Sequence, residues 1–432
     1  MKRLLLSIMT ILSVAGLHAQ SLSLNDCRQM ALEYSEQVKT ADNNVRKAQL
    51  DREIAFAQYL PKLDGSVTAV AMKDREFGPL TLQLLGTYLA GVNLTLPLYA
   101  GGQITAANKL AGIGKTVSEE QLRKARMQVI ADVDNAYYTL ISVRSKVRML
   151  EAYADQMQGL YDQVKISVDA DLATNNELLR ISAKQNEISY QLQKARNGEQ
   201  LCQLALANII GTPFDSTITP TDTIMTAQSV DGLTEDFSMR PDLILLKQQV
   251  EASKQQVKMA RSNYLPTVAL VGSYSYFDNL KAKLNLPLPD GSNFYFKDTF
   301  NGGHAIAILS VSVPIFHWGA EVKKVKKAKL DLDNSRLQLQ QYERGMSIEV
   351  RQAVLNLTDG QRMLETAQLG QQQADENLRV MRQKYDNQYC TMTDLLDAQS
   401  QWHQARSNLI EAQTQQKINE TEYLRVTGQL SM

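Results

Sequence analysis

Cysteine is nearly missing from this chain. Only Cys27, Cys202 and Cys390 occur among 432 residues, far apart and without metal-ligand spacing, which excludes a disulfide framework and a zinc site. An excess of one charge is missing too: 46 Lys+Arg face 46 Asp+Glu, so there is no basic field for nucleic acid to seek. Beyond the N-terminus no apolar run reaches ~18 residues, which excludes helical membrane spans. His304 and His403 have no partner at ligand or triad spacing, and no glycine-rich phosphate loop follows a strand. No catalytic residue, cofactor site or metal site emerges, and an enzyme is not expected. What is present is 44% apolar residues in a long chain, enough to bury a sizeable core and to rule out disorder as the main state.

The first residues read as an export signal. Lys2 and Arg3 precede an apolar stretch from Leu4 to Val14, and Ala15, Gly16 and Ala19 supply small residues for a cut. Residues 1–19 are therefore expected to be removed, leaving 44 basic against 46 acidic residues, a net charge of −2. Cys27 lies past the expected cut inside a helical pattern, so no N-terminal lipid anchor is expected.

Proline is scarce in an informative way. The 10 prolines leave residues 98–212 and 315–432 free of them, and because an internal proline costs a helix about 3 kcal/mol, each interval suits very long helices. The halves also align. A shift of 217 sets Pro97 on Pro314, Tyr99 on Phe316, Gly102 on Gly319, Thr174 on Thr391, Glu177 on Asp394 and Gly211 on Gly428. Upstream the shift is 205, where Tyr59-Leu60-Pro61 meets Tyr264-Leu265-Pro266. The chain is a duplication, with residues 20–211 as the first repeat, 241–432 as the second, and a Thr-, Asp- and Pro-rich connector at 212–240. The change of 12 in the shift places one insertion between 267 and 312, expected as a loop over 278–304.

Within each repeat the hydrophobic period switches twice. Residues 24–58 read as one helix. Val92, Leu94, Leu96 and Leu98 then alternate with polar Asn93 and Thr95, and Leu309, Val311, Val313 and Ile315 with Ser310 and Ser312, which predicts strands with one apolar face. With Val268 to Tyr276 and the weaker Leu63 to Ala71, they form strand pairs over 62–99 and 267–316, about ten residues per strand. The helical period then returns. Val129, Val133, Ala136, Leu140, Val143 and Val147 step alternately by 4 and 3, as do Leu395, Ala398, Trp402, Ala405, Leu409 and Ala412, a repeat near 3.5 that marks coiled-coil packing. A helix over 102–166 would be about 98 Å long and its return over 172–210 about 58 Å, so the helix over 24–58, about 52 Å, is the right length to complete the line.

Four short strands cannot sit in lipid with open edges, because each unpaired backbone group there costs several kcal/mol. Barrels of the outer-membrane type need at least about 8 strands. Two copies would supply that number, but a lumen so small fills with side chains, so three copies and about 12 strands are the better expectation. Pro61, Pro97, Pro266 and Pro314 are expected where strand meets helix, since the backbone turns there without needing an N–H.

The twofold order of helix, strand pair, glycine-started long helix and return helix resembles the outer-membrane efflux protein family, the TolC-like channels. So do Tyr-Leu-Pro at the end of the first helix and the Thr-x-x-Asp/Glu-Leu-Leu turn. The resemblance covers nearly all of the mature chain. It implies a mostly α fold with a small β part: duplicated antiparallel coiled-coil helices in a trimeric α-barrel, continuous with a shared β-barrel in outer-membrane lipid. It also implies a periplasmic adaptor and an inner-membrane transporter as partners, and a passive exit duct gated at the periplasmic helix tips. An exported coiled-coil scaffold or adhesin without a pore is the alternative, which leaves the amphipathic strands unexplained.

By the same resemblance, Asp394 and Asp397 occupy the positions of an acidic aperture ring, and Tyr385 and Glu177 those of a clasp. Asp394 and Asp397 are three apart and so share a helix face, and clustered carboxylates attract cations. The competing explanation is local: Thr391–Asp394 and Thr174–Glu177 each have capping-box spacing. Cys390 stands where well-studied members carry a basic residue, which implies a clasp that is weaker or built differently. His317 and Trp318 suit either an interfacial aromatic belt or packing at the junction, and Trp402 suits the coiled core. Phe294, Tyr295, Phe296 and Phe300, with Gly302 and Gly303, are expected in the inserted loop.

Overall fold

A computed structural model describes residues 20–70, 72–83, 86–214, 217–222, 232–289 and 291–431; the expected signal peptide lies outside them. The elements run β1 (Gln20–Leu22), α1 (Leu24–Tyr34), α2 (Glu36–Ala57), β2 (Lys62–Val70), β3 (Arg75–Phe77), β4 (Leu80–Gln83), β5 (Thr87–Ala100), α3 (Gln103–Asp169), α4 (Asn175–Ile210), β6 (Ile218–Pro220), α5 (Pro241–Ser262), β7 (Thr267–Pro287), β8 (Asn293–Ser312), α6 (Ala320–Asp386) and α7 (Met392–Thr427). The duplication is a physical one. α3 and α6 each have 67 residues, α4 and α7 each have 36, and all four pairs of ends differ by 217. Gly211 and Gly428 end the two return helices in the left-handed conformation, with φ of 75° and 78°, where a side chain would be strained.

The chain divides into two compact units. The first, Met1–Asn43, Glu120–Leu245 and Gln340–Met432, is helical with one small parallel pairing, β1 on β6. One expectation is corrected here. Residues 24–58 are two helices, because Ser35 leaves the helical region at ψ 120°. Its N–H donates to the Ala31 carbonyl at 2.9 Å and its Oγ accepts from the Val38 N–H at 3.4 Å, so one residue closes α1 and opens α2. The apolar stripe of α3 is core as its period requires: Val133, Tyr137 and Leu140 are fully buried beside Cys27, Ala31, Leu206 and Ile218. The connector is more than a tether. Ile218 belongs to that core, while Leu233 and Phe237 pack on Val350, Ala353, Leu357 and Tyr423.

The second unit, Asn44–Glu119 and Leu246–Leu339, holds the sheet. β2, β5, β7 and β8 pair antiparallel in that order, and β4, tied to β3, continues the β5 side of β7. Two expectations change. The strands of the second repeat are 21 and 20 residues long, and the expected loop over 278–304 is the far part of their hairpin. Phe294, Tyr295, Phe296 and Phe300 therefore lie in β8, paired with Leu286, Asn285, Leu284 and Leu280. Leu280, Ala282, Leu284 and Leu286 do alternate with Lys281, Lys283 and Asn285, a strand signal interrupted by a bulge at Asn279, where φ is 59°. Pro61 and Pro266 immediately precede β2 and β7, and Pro314 follows β8 by two residues. Pro97, however, lies inside β5. It is tolerated because the β2 ladder stops at Thr95 and the β7 register shifts between Pro97 and Tyr99.

Among the described residues no layer covers this sheet within the unit. Every described residue of β8 but one is exposed, as is all of β2 except Val70, including Leu63, Val67, Ile308, Leu309 and Val311.

Candidate functional site

The two helix-to-helix turns of the first unit, 170–174 and 387–391, share a backbone solution. Asp171 and Gln388, again 217 apart, both take left-handed φ, 58° and 62°. Below the turns one apolar cluster joins four helices: Tyr153, Met157, Leu160 and Val164 of α3, Ile181 and Ile188 of α4, Met392 and Leu395 of α7, with Leu378, Met381 and Tyr385 of α6 against them. This packing sets where the polar side chains of the turns stand.

The two capping signatures fare differently. At Thr391 the box is complete: Oγ1 accepts from the Asp394 N–H at 3.3 Å, while the Asp394 carboxylate accepts from the Thr391 N–H at 2.9 Å and hydroxyl at 2.7 Å. These bonds hold the Asp394 carboxyl below its ordinary value, so it stays ionised and exposed. At Thr174 no side-chain cap forms, and Glu177 is half-buried. Glu177 is thus free of the local role its spacing suggests. Its charge instead reaches Tyr385, whose hydroxyl is pushed up by burial first and by Glu177 second. A phenol kept neutral is a donor and a carboxylate an acceptor. Asp397 is exposed one turn after Asp394.

Cys390 turns inward, its Sγ donating to the Met381 carbonyl at 3.5 Å. Burial and the Asp394 charge raise this thiol, so it stays neutral and offers Asp394 no counter-charge. A basic residue at the turns that sequence reasoning missed is Arg180 of α4, which donates from Nη1 to the Thr393 hydroxyl of α7, tying one turn to the other. Its only sequence signal is its place one helical step after Glu177. Trp402 packs on Met149, Leu150 and Ile410 and donates its Nε1–H to Asp375, as a residue of the coiled stripe should. His403 lies against the Tyr153 ring at 5.4 Å. Among the described residues no cluster of His, Cys, Asp or Glu is placed to hold a metal, and no helix is long and apolar enough to cross a membrane.

The sequence profile described as outer membrane efflux protein matches residues 27–212 and 237–429. The proteases secretion protein PrtF of Dickeya chrysanthemi is 22% identical, over 95% of this chain and 89% of its own length. The outer membrane protein TolC of Escherichia coli K12 is 21% identical over 99% and 87%. Among solved structures, the CmeC outer membrane channel of Campylobacter jejuni superposes with a TM-score of 0.76 at 19% identity, over 94% of this chain and 85% of that one. By their names TolC is an outer membrane protein and CmeC an outer membrane channel, and the CmeC structure shares the mostly helical fold with a small sheet. Matched across both repeats, the chain belongs to the outer membrane efflux protein family.

Proposed function

We propose that the chain is one protomer of a homotrimeric exit duct of the outer membrane. It receives substrate from an inner-membrane transporter through a periplasmic adaptor and is gated at the turns of α3–α4 and α6–α7. The observation that carries this reading is the bare sheet. Four antiparallel strands expose apolar side chains in a single layer and leave β2 and β8 with unpaired edges. In water such a sheet wets several large hydrophobic side chains, and in lipid its edges strand backbone groups. Sister copies pairing β8 with β2 remove both faults at once, and three copies close about 12 strands around a lumen. A non-conducting scaffold would leave the same surface unsatisfied.

The helix turns suit the gate. Asp394 and Asp397 repeated about a threefold axis make a ring of carboxylates, and Glu177 with Tyr385 links α4 to α6 beside it. The duct performs no chemistry. PrtF secretes proteases by its name and CmeC is described only as an outer membrane channel, so the class of substrate rests with the partners that dock.

Purified full-length protein in planar lipid bilayers tests the reading, with mass measured by light scattering in detergent. A trimer that conducts, with conductance rising when the turn residues are changed, supports the duct. A monomer that seals its own sheet, or a trimer that never conducts, overturns it.

A further inference from the structure

The charge of the molecule is balanced only as a whole. Residues 44–119 and 246–339, the unit that carries the sheet, hold 21 Lys+Arg against 13 Asp+Glu, a net +8 in a chain whose total is zero. The surplus is concentrated just past the sheet. Lys323, Lys324, Lys326, Lys327 and Lys329 crowd the first three turns of α6, all exposed, and one acid, Glu321, answers them by pairing with Lys324 at 2.9 Å. Between β8 and these lysines the chain exposes Ile315, Phe316 and Trp318, with the Phe316 and Trp318 rings 5.0 Å apart.

The duplication supplies an internal control. In the first repeat the equivalents of the five lysines are Ala106, Ala107, Lys109, Leu110 and Gly112, on a helix of the same length and boundaries. The fold therefore does not ask for the lysines. Nor does it ask for Trp318, which stands where the first repeat has Gly101, both with left-handed φ, 53° and 59°. A tryptophan is disfavoured in that conformation, and the residue is 86% exposed, so its contact with the likewise exposed Phe316 ring does little within the chain to offset the strain.

We infer that Lys323, Lys324, Lys326, Lys327 and Lys329 form a docking surface for anionic phospholipid headgroups of the periplasmic leaflet of the outer membrane, with Trp318 seated at the same interface. Two features choose lipid over other occupants. Clustered lysines beside a membrane segment attract anionic headgroups over a Debye length, and aromatic rings prefer headgroup depth. Both lie within twenty residues of β8, the strand that the proposed barrel places in lipid. The inference rests on that barrel reading, so its test includes a separate report on the strand.

The test is tryptophan quenching. The chain has two tryptophans, so Trp402→Phe leaves Trp318 as sole reporter in the full-length protein. It is reconstituted with phosphatidylglycerol or phosphatidylcholine brominated near the headgroup end of the acyl chain. The expected result is quenching several-fold stronger with phosphatidylglycerol at equal mole fraction, falling to parity when the five lysines become Gln. Equal quenching by the two lipids, or a preference that survives the Gln changes, overturns the assignment. As the separate report, Leu309→Trp in a Trp318→Gly, Trp402→Phe background places the reporter on β8; glycine suits the backbone at 318, so this variant is expected to fold. Quenching on β8 without quenching at Trp318 sinks the docking surface and leaves the barrel standing. Absence of quenching at both sinks both.

Discussion

Arg28 and Asp134, 106 positions apart, meet in a two-armed ion pair: Nε and Nη2 of the guanidinium donate to the two carboxylate oxygens at 2.7 Å each. Asp134 is fully buried and also accepts from the Thr421 hydroxyl at 2.9 Å, so α1, α3 and α7 converge on one carboxylate. The Arg28 guanidinium is held above its ordinary range: burial opposes its charge, but the bonds and charge of Asp134 prevail. Removing either partner strands the other charge in a dry setting, and that loss, rather than the net worth of the pair, dominates the outcome. Arg28→Met should therefore destabilise the protein by about 3–5 kcal/mol, because it strands the fully buried Asp134. Asp134→Ala should cost less, because the guanidinium it strands keeps some access to water. The double variant should be more stable than the sum of the two losses predicts. Urea unfolding followed by circular dichroism checks all three, and strict additivity would show that the pair is not coupled.

A second prediction separates two signatures that look alike as letters. Thr391 caps α7 and Thr174 does not cap α4. Thr391→Ala should cost about 1 kcal/mol and Thr174→Ala close to nothing, read as faster amide exchange in the first turn of α7 only. The Asp394 half of the box carries a pH sign. Its folded value lies below the ordinary 3.8 because Thr391 donates to it, so its contribution is complete above the unfolded value and is lost as pH falls through the lowered one. First-turn protection that did not fade on acidification would remove Asp394 from the cap.

These cases show what the residue pattern carries and what it does not. The shift of 217 located both long helices and both returns, because helix length and the glycine at each end are local properties. Ser35 escaped notice because the apolar period runs through it, and only its own side chain, bonding three residues ahead, marks the break. The β7–β8 hairpin hid for a related reason: the Asn279 bulge interrupts the period-two run, and lysines along it resemble a solvated loop. Arg28, Asp134 and Thr421 are three polar letters in three helices, and nothing in their spacing announces that they meet. The expectation of a clasp between Glu177 and Tyr385 comes only through the resemblance, since the two are 208 positions apart and their helices, α4 and α6, meet only in the folded apolar cluster.

The third prediction concerns that pair. Glu177→Gln removes the charge that helps keep the Tyr385 phenol neutral, and Tyr385→Phe removes the donor. If the two hold α4 to α6 at the gate, each change raises mean single-channel conductance. The double variant then goes no further than the stronger single one, because both remove the same link. Independent, summing effects would assign the two residues to different roles.

The last prediction reads the ring itself. Asp394 and Asp397 are both exposed on the first turns of α7, and symmetry would bring their copies to one constriction, where divalent cations relieve the mutual repulsion of carboxylates. Asp394→Asn with Asp397→Asn should therefore abolish divalent block of the open channel, while Asp397→Asn alone weakens it and leaves the Thr391 cap intact. Acidification should act in the same direction: Asp394 keeps its charge to lower pH than an ordinary carboxyl, so block present near neutrality is expected to fade as pH falls through that lowered value. Current recordings with and without millimolar divalent cation, repeated down a pH series, measure both effects. Block unchanged in the double Asn variant would move the ring to other residues, and the capping bonds would then be the whole account of Asp394.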